Sequence, residues 1–273
     1  MRNDFGGHTL VELLIAMSIA AILITVIYQI YQMRQKSHVK QQLVVEMQEN
    51  IRAAVSLIKR EIRMAGYDPA KIDGVDSDGD SVVDNDEESA GTGIEKAGRS
   101  MIRFTFDNDA DMTTGTDERI TYGFANLYDA DGDGIADSGA AALGRQTGSG
   151  TLIGIAENIQ AVGFAYAFDR DNDGILETDD GTADGNVVWA FDADPSDAND
   201  ELTTNLDNQL LAAPVPLSAI RAVRVWLLAR TSAPIRGYFE NRTYSVGGRN
   251  IACSDNYPRR LLSATVYCRN MGL

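Results

Sequence analysis

A stretch of 58 residues, 8–65, contains neither glycine nor proline. Because the two strongest helix breakers are missing, we predict one continuous α-helix over residues 8–66, ~87 Å long at 1.5 Å per residue. Residues 13–28 carry no charge. Extended back to Thr9, this run includes one acid, Glu12, and has about the 20 residues that a helix needs to cross a bilayer. We therefore predict a transmembrane segment at residues 9–28.

The second half of this stretch is amphipathic. Apolar residues recur every three or four positions and so form one stripe, and charged residues lie on the other faces of the helix. The stripe consists of Val39, Leu43, Met47, Ile51, Val55, Ile58 and Ile62. This pattern predicts that one stripe of the helix is buried against a globular domain, residues 67–273. Gly66 is a suitable C-cap, and Pro69 prevents the helix from continuing.

The net charge of −16 is unevenly distributed. Residues 1–71 have a net charge of +3 and residues 220–273 of +7, so residues 72–219 carry −26. An acidic chain is a poor partner for nucleic acid, which we exclude. A block this acidic is disordered, solvating or neutralised by bound cations.

Within the acidic region, residues 72–200, three segments repeat aspartate at alternate positions. Oxygen ligands at positions 1, 3, 5, 9 and 12, with a backbone carbonyl at 7, are typical of EF-hand-type calcium loops. The first loop offers Asp76, Asp78, Asp80, Val82, Asp84 and Glu87. The second offers Asp129, Asp131, Asp133, Ile135 and Asp137. The third offers Asp169, Asp171, Asp173, Ile175, Glu177 and Asp180.

These loops differ in completeness. Ser81 replaces the expected glycine of the first loop, and Ala140 stands at position 12 of the second. Because no loop lies between paired amphipathic helices, we predict one to three structural calcium ions rather than a calcium switch. Magnesium, which retains more water, fits less well. The alternative is that aspartate and glycine are simply common in loops.

Short runs between and after the loops alternate apolar with polar residues. They lie around Ile102–Phe106, Ile120–Phe124, Val162–Phe168, Val223–Leu227 and Leu262–Cys268. Period-two alternation predicts antiparallel strands with one buried face each. The fold class is therefore predicted as α+β, with the long helix covering an antiparallel sheet. No nucleophile–base arrangement, phosphate-binding glycine loop or zinc spacing occurs in the sequence, so we do not expect an enzyme.

The segment from Gly7 to Glu12 resembles the processing site of type IV prepilins. The resemblance implies that prepilin peptidase removes the leader Met1–Gly7 and that His8, where the family usually has phenylalanine, becomes the methylated N-terminus. It also implies that Glu12 meets the N-terminal amine of a neighbouring pilin, which lowers the cost of both charges in lipid. Alternatives are a hydrated Glu12 near the membrane surface, a plain single-span anchor, and a signal peptide.

The C-terminal segments Ile220–Thr231 and Arg259–Asn270 resemble the last strands of PilW-like minor pilins. The resemblance implies a type IV pilin-like fold, with the chain in the bacterial inner membrane, its domain outside the cytoplasm, and then in the pilus filament. Partners would be major and minor pilins and a tip adhesin. The acidic middle lies outside this pattern, and we interpret it as a long variable insertion.

Three functions are consistent with these features. The first is a minor pilin that primes or stabilises pilus assembly at or near the tip. The second is a minor pseudopilin of type II secretion, and the third is a membrane-anchored calcium-binding adhesion module. Outside the cytoplasm a disulfide between Cys253 and Cys268 is permitted, with two free thiols as the alternative.

Overall fold

The structure, a computed structural model, describes residues 9–69, 91–111, 113–178, 185–196 and 200–272. The chain divides into two compact units, residues 1–45 and residues 46–273. The helix α1 spans Leu10–Ile62, as the absence of glycine and proline predicts. Its N-terminal part is long and apolar enough to cross a membrane, and its large apolar side chains are exposed.

The end of α1 follows the predicted signals. A turn over residues 63–66 succeeds Ile62, and Gly66 adopts a left-handed φ of 76°. A Cβ at Gly66 would lie 2.7 Å from Cγ of Met271, so both its conformation and its surroundings require glycine.

The described part of the chain contains twelve strands. They are β1 (Ile94–Ala97), β2 (Ile102–Thr105), β3 (Arg119–Gly123), β4 (Ala141–Thr147), β5 (Ile153–Phe168), β6 (Ala190–Phe191), β7 (Glu201–Asn205), β8 (Leu210–Pro216), β9 (Ile220–Arg230), β10 (Glu240–Val246), β11 (Arg249–Asp255) and β12 (Arg259–Tyr267). A 3₁₀ turn at Leu217–Ala219 precedes β9.

Ten strands form one antiparallel sheet. The strands β1 to β8 are neighbours in chain order, while β9 pairs with β5 and β12 pairs with β9. The remaining two, β10 and β11, form a separate hairpin. The predicted α+β class is confirmed, and the predicted alternating segments all contribute to strands of the sheet.

The apolar stripe of α1 is buried from Met47 onward, through Ile51, Val55, Ile58 and Ile62. Val39 is 52% exposed, so the predicted buried stripe is shorter than the sequence pattern. Asn50 ties this part of the helix to the sheet, because its side-chain amide donates to the carbonyl of Glu157 at 2.6 Å. The buried stripe therefore belongs to the second compact unit, which begins at Glu46.

The central strands β5 and β9 are buried on both faces, whereas the sequence predicted one buried face. On one face, Ala161 and Ala165 of β5 and Trp226 and Leu228 of β9 form a core cluster with Val246, Ile251 and Cys253 of the hairpin. On the other face, Val162, Phe164, Val225 and Leu227 are fully buried. The hairpin covers the face that alternation alone would leave to solvent.

Candidate functional sites

The predicted processing residues Gly7 and His8 lie outside the described residues. Glu12 lies in the first turn of α1 and is exposed. Its carboxylate accepts from the backbone N–H of Thr9 at 3.2 Å, and the hydroxyl of Thr9 accepts from the N–H of Glu12 at 3.3 Å. This reciprocal pair is a capping box, which the Thr-x-x-Glu spacing could have predicted. Glu12 thus caps its own helix, besides the intersubunit role that the prepilin resemblance implies.

The second predicted calcium loop, residues 129–137, forms a compact acidic turn, here called the Asp129 loop. Carboxylate oxygens of Asp129, Asp131 and Asp133 lie within 4.8 Å of one another. The carboxylate of Asp129 accepts from the N–H of Gly134 at 2.8 Å. Gly134 has φ of 76° and Gly132 of 70°, so the sharp turn depends on glycine at both places. The structure thus brings three of the four predicted carboxylate ligands together.

The other two predicted ligands of this loop have different environments. Asp137 accepts from the N–H of Ala130 at 3.0 Å, which closes the two ends of the loop. Ile135 forms an isolated bridge with Ala161 of β5, and its N–H donates to Asp133 at 2.6 Å. Asp137 does not belong to the acidic cluster found in the described part of the chain, and the backbone carbonyl of Ile135 stays a predicted ligand.

The third predicted loop repeats this geometry. Asp169, Asp171 and Asp173 form a cluster of the same dimensions, and Asp169 accepts from the N–H of Gly174 at 2.9 Å. Glu177 lies outside the cluster. The backbone carbonyl of Ile175 stays a predicted ligand, and Asp180 is not among the described residues. The whole first loop, from Asp76 through Asp78, Asp80, Val82 and Asp84 to Glu87, also lies outside the described residues.

A further acidic cluster was missed from the sequence. It consists of Asp107, Asp109 and Glu118, in the connection between β2 and β3. Asp107, Asp109 and Glu118 stand at positions 1, 3 and 12 of an EF-hand-type spacing, which is the signal that could have revealed them. Glu118 is 3% exposed and accepts from the N–H groups of Asn108 and Gly115, so it also braces this connection.

The predicted disulfide is wrong in this structure, because Cys253 and Cys268 are both free and buried. The N–H of Cys268 donates to the carbonyl of Arg221, near the start of β9. The Sγ of Cys253 contacts Gln160, which lies beside the register pair Ile159–Ala229 near the end of β9. Eight residues of β9 separate these places, roughly 26 Å at 3.3 Å per residue, whereas a disulfide needs Cα atoms within about 7 Å.

Comparison with known protein families connects these features. The model of a family described as Type IV Pilus-assembly protein W matches residues 129–270, more than half of the chain. The chain belongs to this family. A model of the prokaryotic N-terminal methylation motif matches residues 2–28, which include Gly7, His8 and Glu12. The resemblance that the sequence suggested is therefore confirmed at both ends.

The comparisons with solved structures and with curated proteins do not extend this family assignment. A type IV-like pilin from Thermus thermophilus is similar at 14% identity and a TM-score of 0.43, covering 82% of this chain and 97% of that chain. No curated protein matches.

The family match corrects one interpretation. It begins at Asp129, so the Asp129 loop and the third loop lie inside the matched region of this PilW-family chain. The interpretation of the whole acidic middle as an insertion outside the family pattern is therefore wrong for the part after residue 128.

Proposed function

We propose that this PilW-family protein is a minor pilin that primes or stabilises type IV pilus assembly, at or near the pilus tip. The observation that carries the proposal is the N-terminal methylation motif, residues 2–28, on the same chain as the PilW match. In this proposal prepilin peptidase cleaves after Gly7, and the apolar part of α1 holds the chain in the inner membrane before assembly. The helix then joins major and minor pilins in the filament, and the globular domain can meet a tip adhesin.

The first test is the intact mass of the protein isolated from its own membrane fraction. We expect the loss of Met1–Gly7 and one methyl group on the new N-terminal residue, His8. An uncleaved N-terminus in cells with an active prepilin peptidase would contradict the proposal and favour a membrane-anchored adhesion module.

The second test separates the two roles of Glu12. In Glu12→Gln, a side-chain oxygen remains to accept the capping bond, but the charge is lost. In Thr9→Ala, the charge remains and the capping box is lost. If Glu12 pairs with the amine of a neighbouring pilin, Glu12→Gln reduces pilus number while Thr9→Ala has a smaller effect. Equal piliation of Glu12→Gln and wild type would contradict the pairing.

We prefer a role in pilus assembly over one in type II secretion, because the description of the matching family names pilus assembly. Deletion of the gene should reduce surface pili and leave the secretion of exoproteins unchanged. The reverse result would favour a minor pseudopilin.

The proposal includes calcium ions that stabilise the acidic loops. It is supported by the clustering of Asp129, Asp131 and Asp133, and by the matching cluster of Asp169, Asp171 and Asp173. Melting of the full-length protein in detergent should rise with calcium and fall with chelator. Equal melting temperatures in both would contradict this part.

A further inference from the structure

The Asp129 loop is built onto the middle of the sheet. The N–H of Ala136 donates to the carbonyl of Gln160, and the N–H of Val162 donates to the carbonyl of Gly134, both at 2.9 Å. The loop therefore continues the hydrogen bonding of β5 for three residues. Its acidic turn is held in place by the sheet.

Asp129 is the most buried member of the cluster, with 7% of its surface exposed. One carboxylate oxygen, Oδ2, accepts from the N–H of Gly134. The other, Oδ1, is buried and has no hydrogen-bond partner in the structure. A buried carboxylate oxygen without a partner is costly, so this atom indicates a missing ligand.

The neighbours of Asp129 increase this cost. The charges of Asp131 and Asp133 lie close by, because carboxylate oxygens of all three residues are within 4.8 Å of one another. Oxygens within 4.8 Å of one another can bind one calcium ion, because Ca–O distances of about 2.3–2.6 Å place opposite ligands about 5 Å apart. A divalent cation would supply the charge that the three carboxylates lack.

One positive group lies beside this loop: the charge of Arg249 attracts all three aspartates, but a single positive charge cannot neutralise three carboxylates. The guanidinium of Arg249 donates through Nη2 to the carbonyl of Val162 at 2.6 Å. Its Nη1 is buried without a hydrogen-bond partner, and no ion pair joins it to the three aspartates among the described residues. No direct ion pair with Arg249 therefore balances the negative charge of the loop carboxylates among the described residues.

The third loop provides a contrast. Both carboxylate oxygens of Asp169 accept backbone N–H groups, from Asp173 at 3.2 Å and Gly174 at 2.9 Å. The buried carboxylate of this loop is thus already satisfied by the protein.

We propose that the Asp129 loop is the principal calcium site of the described structure, with Asp129 Oδ1, Asp131 and Asp133 as its carboxylate ligands. The inference rests on the calcium part of the proposed function and not on pilus assembly. Calcium fits better than magnesium, because a loop of three carboxylates and backbone oxygens matches the ligands that calcium accepts. With three charged ligands, a dissociation constant on the order of 10⁻⁴–10⁻³ M is expected, as in extracellular calcium modules.

Tyr128 precedes Asp129 and makes the site measurable, because an adjacent tyrosine can sensitise the luminescence of bound Tb³⁺. The test uses the full-length protein in detergent, freed of metal with a chelator and titrated with Tb³⁺ and then with calcium. We expect sensitised emission that calcium displaces. Tyr128→Phe should remove most of the emission and retain the effect of calcium on melting.

The decisive comparison is between two aspartates at the same position of two loops. Asp129→Asn should weaken Tb³⁺ binding at least ~10-fold, because it removes a charged ligand. Asp169→Asn, the matched control, should leave the Tyr128-sensitised titration nearly unchanged. Equal affinity of Asp129→Asn and wild type would overturn the inference, as would absent emission in the wild type or a loss confined to Asp169→Asn.

Stability measurements guard against a variant that merely misfolds. Without calcium, Asp129→Asn should melt at or above the wild-type temperature, because its amide oxygen still accepts from Gly134 and no buried charge remains. With calcium, the wild type should become the more stable protein. If Asp129→Asn melts lower without calcium, the exposed Asp131→Asn replaces it in the titration, and wild-type affinity in that variant overturns the inference. None of these measurements requires pili, so failed assembly would leave the result intact.

Discussion

Arg145 of β4 donates through Nε to the carboxylate of Glu61 at 2.8 Å, which joins the last turn of α1 to the sheet. The hydroxyl of Tyr122 in β3 donates to the same carboxylate oxygen. Both side chains of the ion pair are largely buried, with 28% of Arg145 and 17% of Glu61 exposed. The pKa of Arg145 is raised, chiefly by its hydrogen bond to Glu61.

Glu61→Gln should therefore destabilise the protein by ~1–3 kcal/mol, because it leaves a partly buried arginine without its counter-charge. Urea unfolding of the full-length protein in detergent measures the effect. Glu95→Gln is the matched control, since Glu95 pairs with Arg119 at 2.8 Å but both side chains are more exposed. A cost below ~1 kcal/mol is expected there. Equal effects of the two variants would show that burial does not set the strength of these pairs.

A second ion pair predicts that the folded protein loses stability at acidic pH. Arg259, 9% exposed, donates two hydrogen bonds of 2.6 Å to Asp255, and this pairing lowers the pKa of Asp255 from its ordinary 3.8. Because the folded pKa is the lower one, the stabilisation is complete above about pH 4 and is lost as the pH falls below it.

Asp255→Asn should cost about 1–3 kcal/mol at neutral pH and little at the lowest pH at which the protein still folds. Unfolding free energies measured from pH 7 downward test this difference. If the cost of the substitution stayed constant over that range, the ion pair would not be the source of the acid sensitivity.

The sequence predicted the elements of the fold better than their surroundings. The helix follows from missing helix breakers, and β9 follows from alternating apolar residues, because both are local signals. The second covered face of β9 could not be predicted, because Val246 and Ile251 of the hairpin lie 18 to 25 residues along the chain from Trp226 and Leu228, which they cover. The exposure of Val39 also depends on tertiary structure, since periodicity does not show where a partner surface begins.

The same distinction applies to the sites. Aspartate spacing correctly grouped Asp129, Asp131 and Asp133, since alternate residues of a tight turn converge. It did not show that Oδ1 of Asp129 lacks a partner while both oxygens of Asp169 have one. That difference depends on how each turn packs against the sheet, which the spacing of aspartates does not show.

The two glycines of the Asp129 loop should differ in their tolerance of a methyl group. Both have left-handed φ values, but a Cβ at Gly134 would lie 2.6 Å from the carbonyl oxygen of Val162, whereas a Cβ at Gly132 meets nothing within 4 Å. Gly132→Ala should therefore cost only backbone strain, about 1 kcal/mol. Gly134→Ala should cost more, ~2–4 kcal/mol, because the loop must also move away from β5. Chemical denaturation of both variants tests the difference, and equal costs would contradict the close packing of the loop on the sheet.

The two cysteines should behave as buried, unreactive thiols. Burial raises the pKa of Cys268 to about 12, with Arg221 opposing the shift, and burial also raises the pKa of Cys253. Since the thiolate is the reactive form, native protein should resist alkylation and gain two adducts after unfolding. Reductant should leave the melting temperature unchanged, because no bridge constrains the unfolded chain. The measurement is the mass of protein alkylated before and after denaturation, without prior reduction. If the denatured protein took up label only after reduction, the cysteines would be paired and the strand register that separates them along β9 would be wrong.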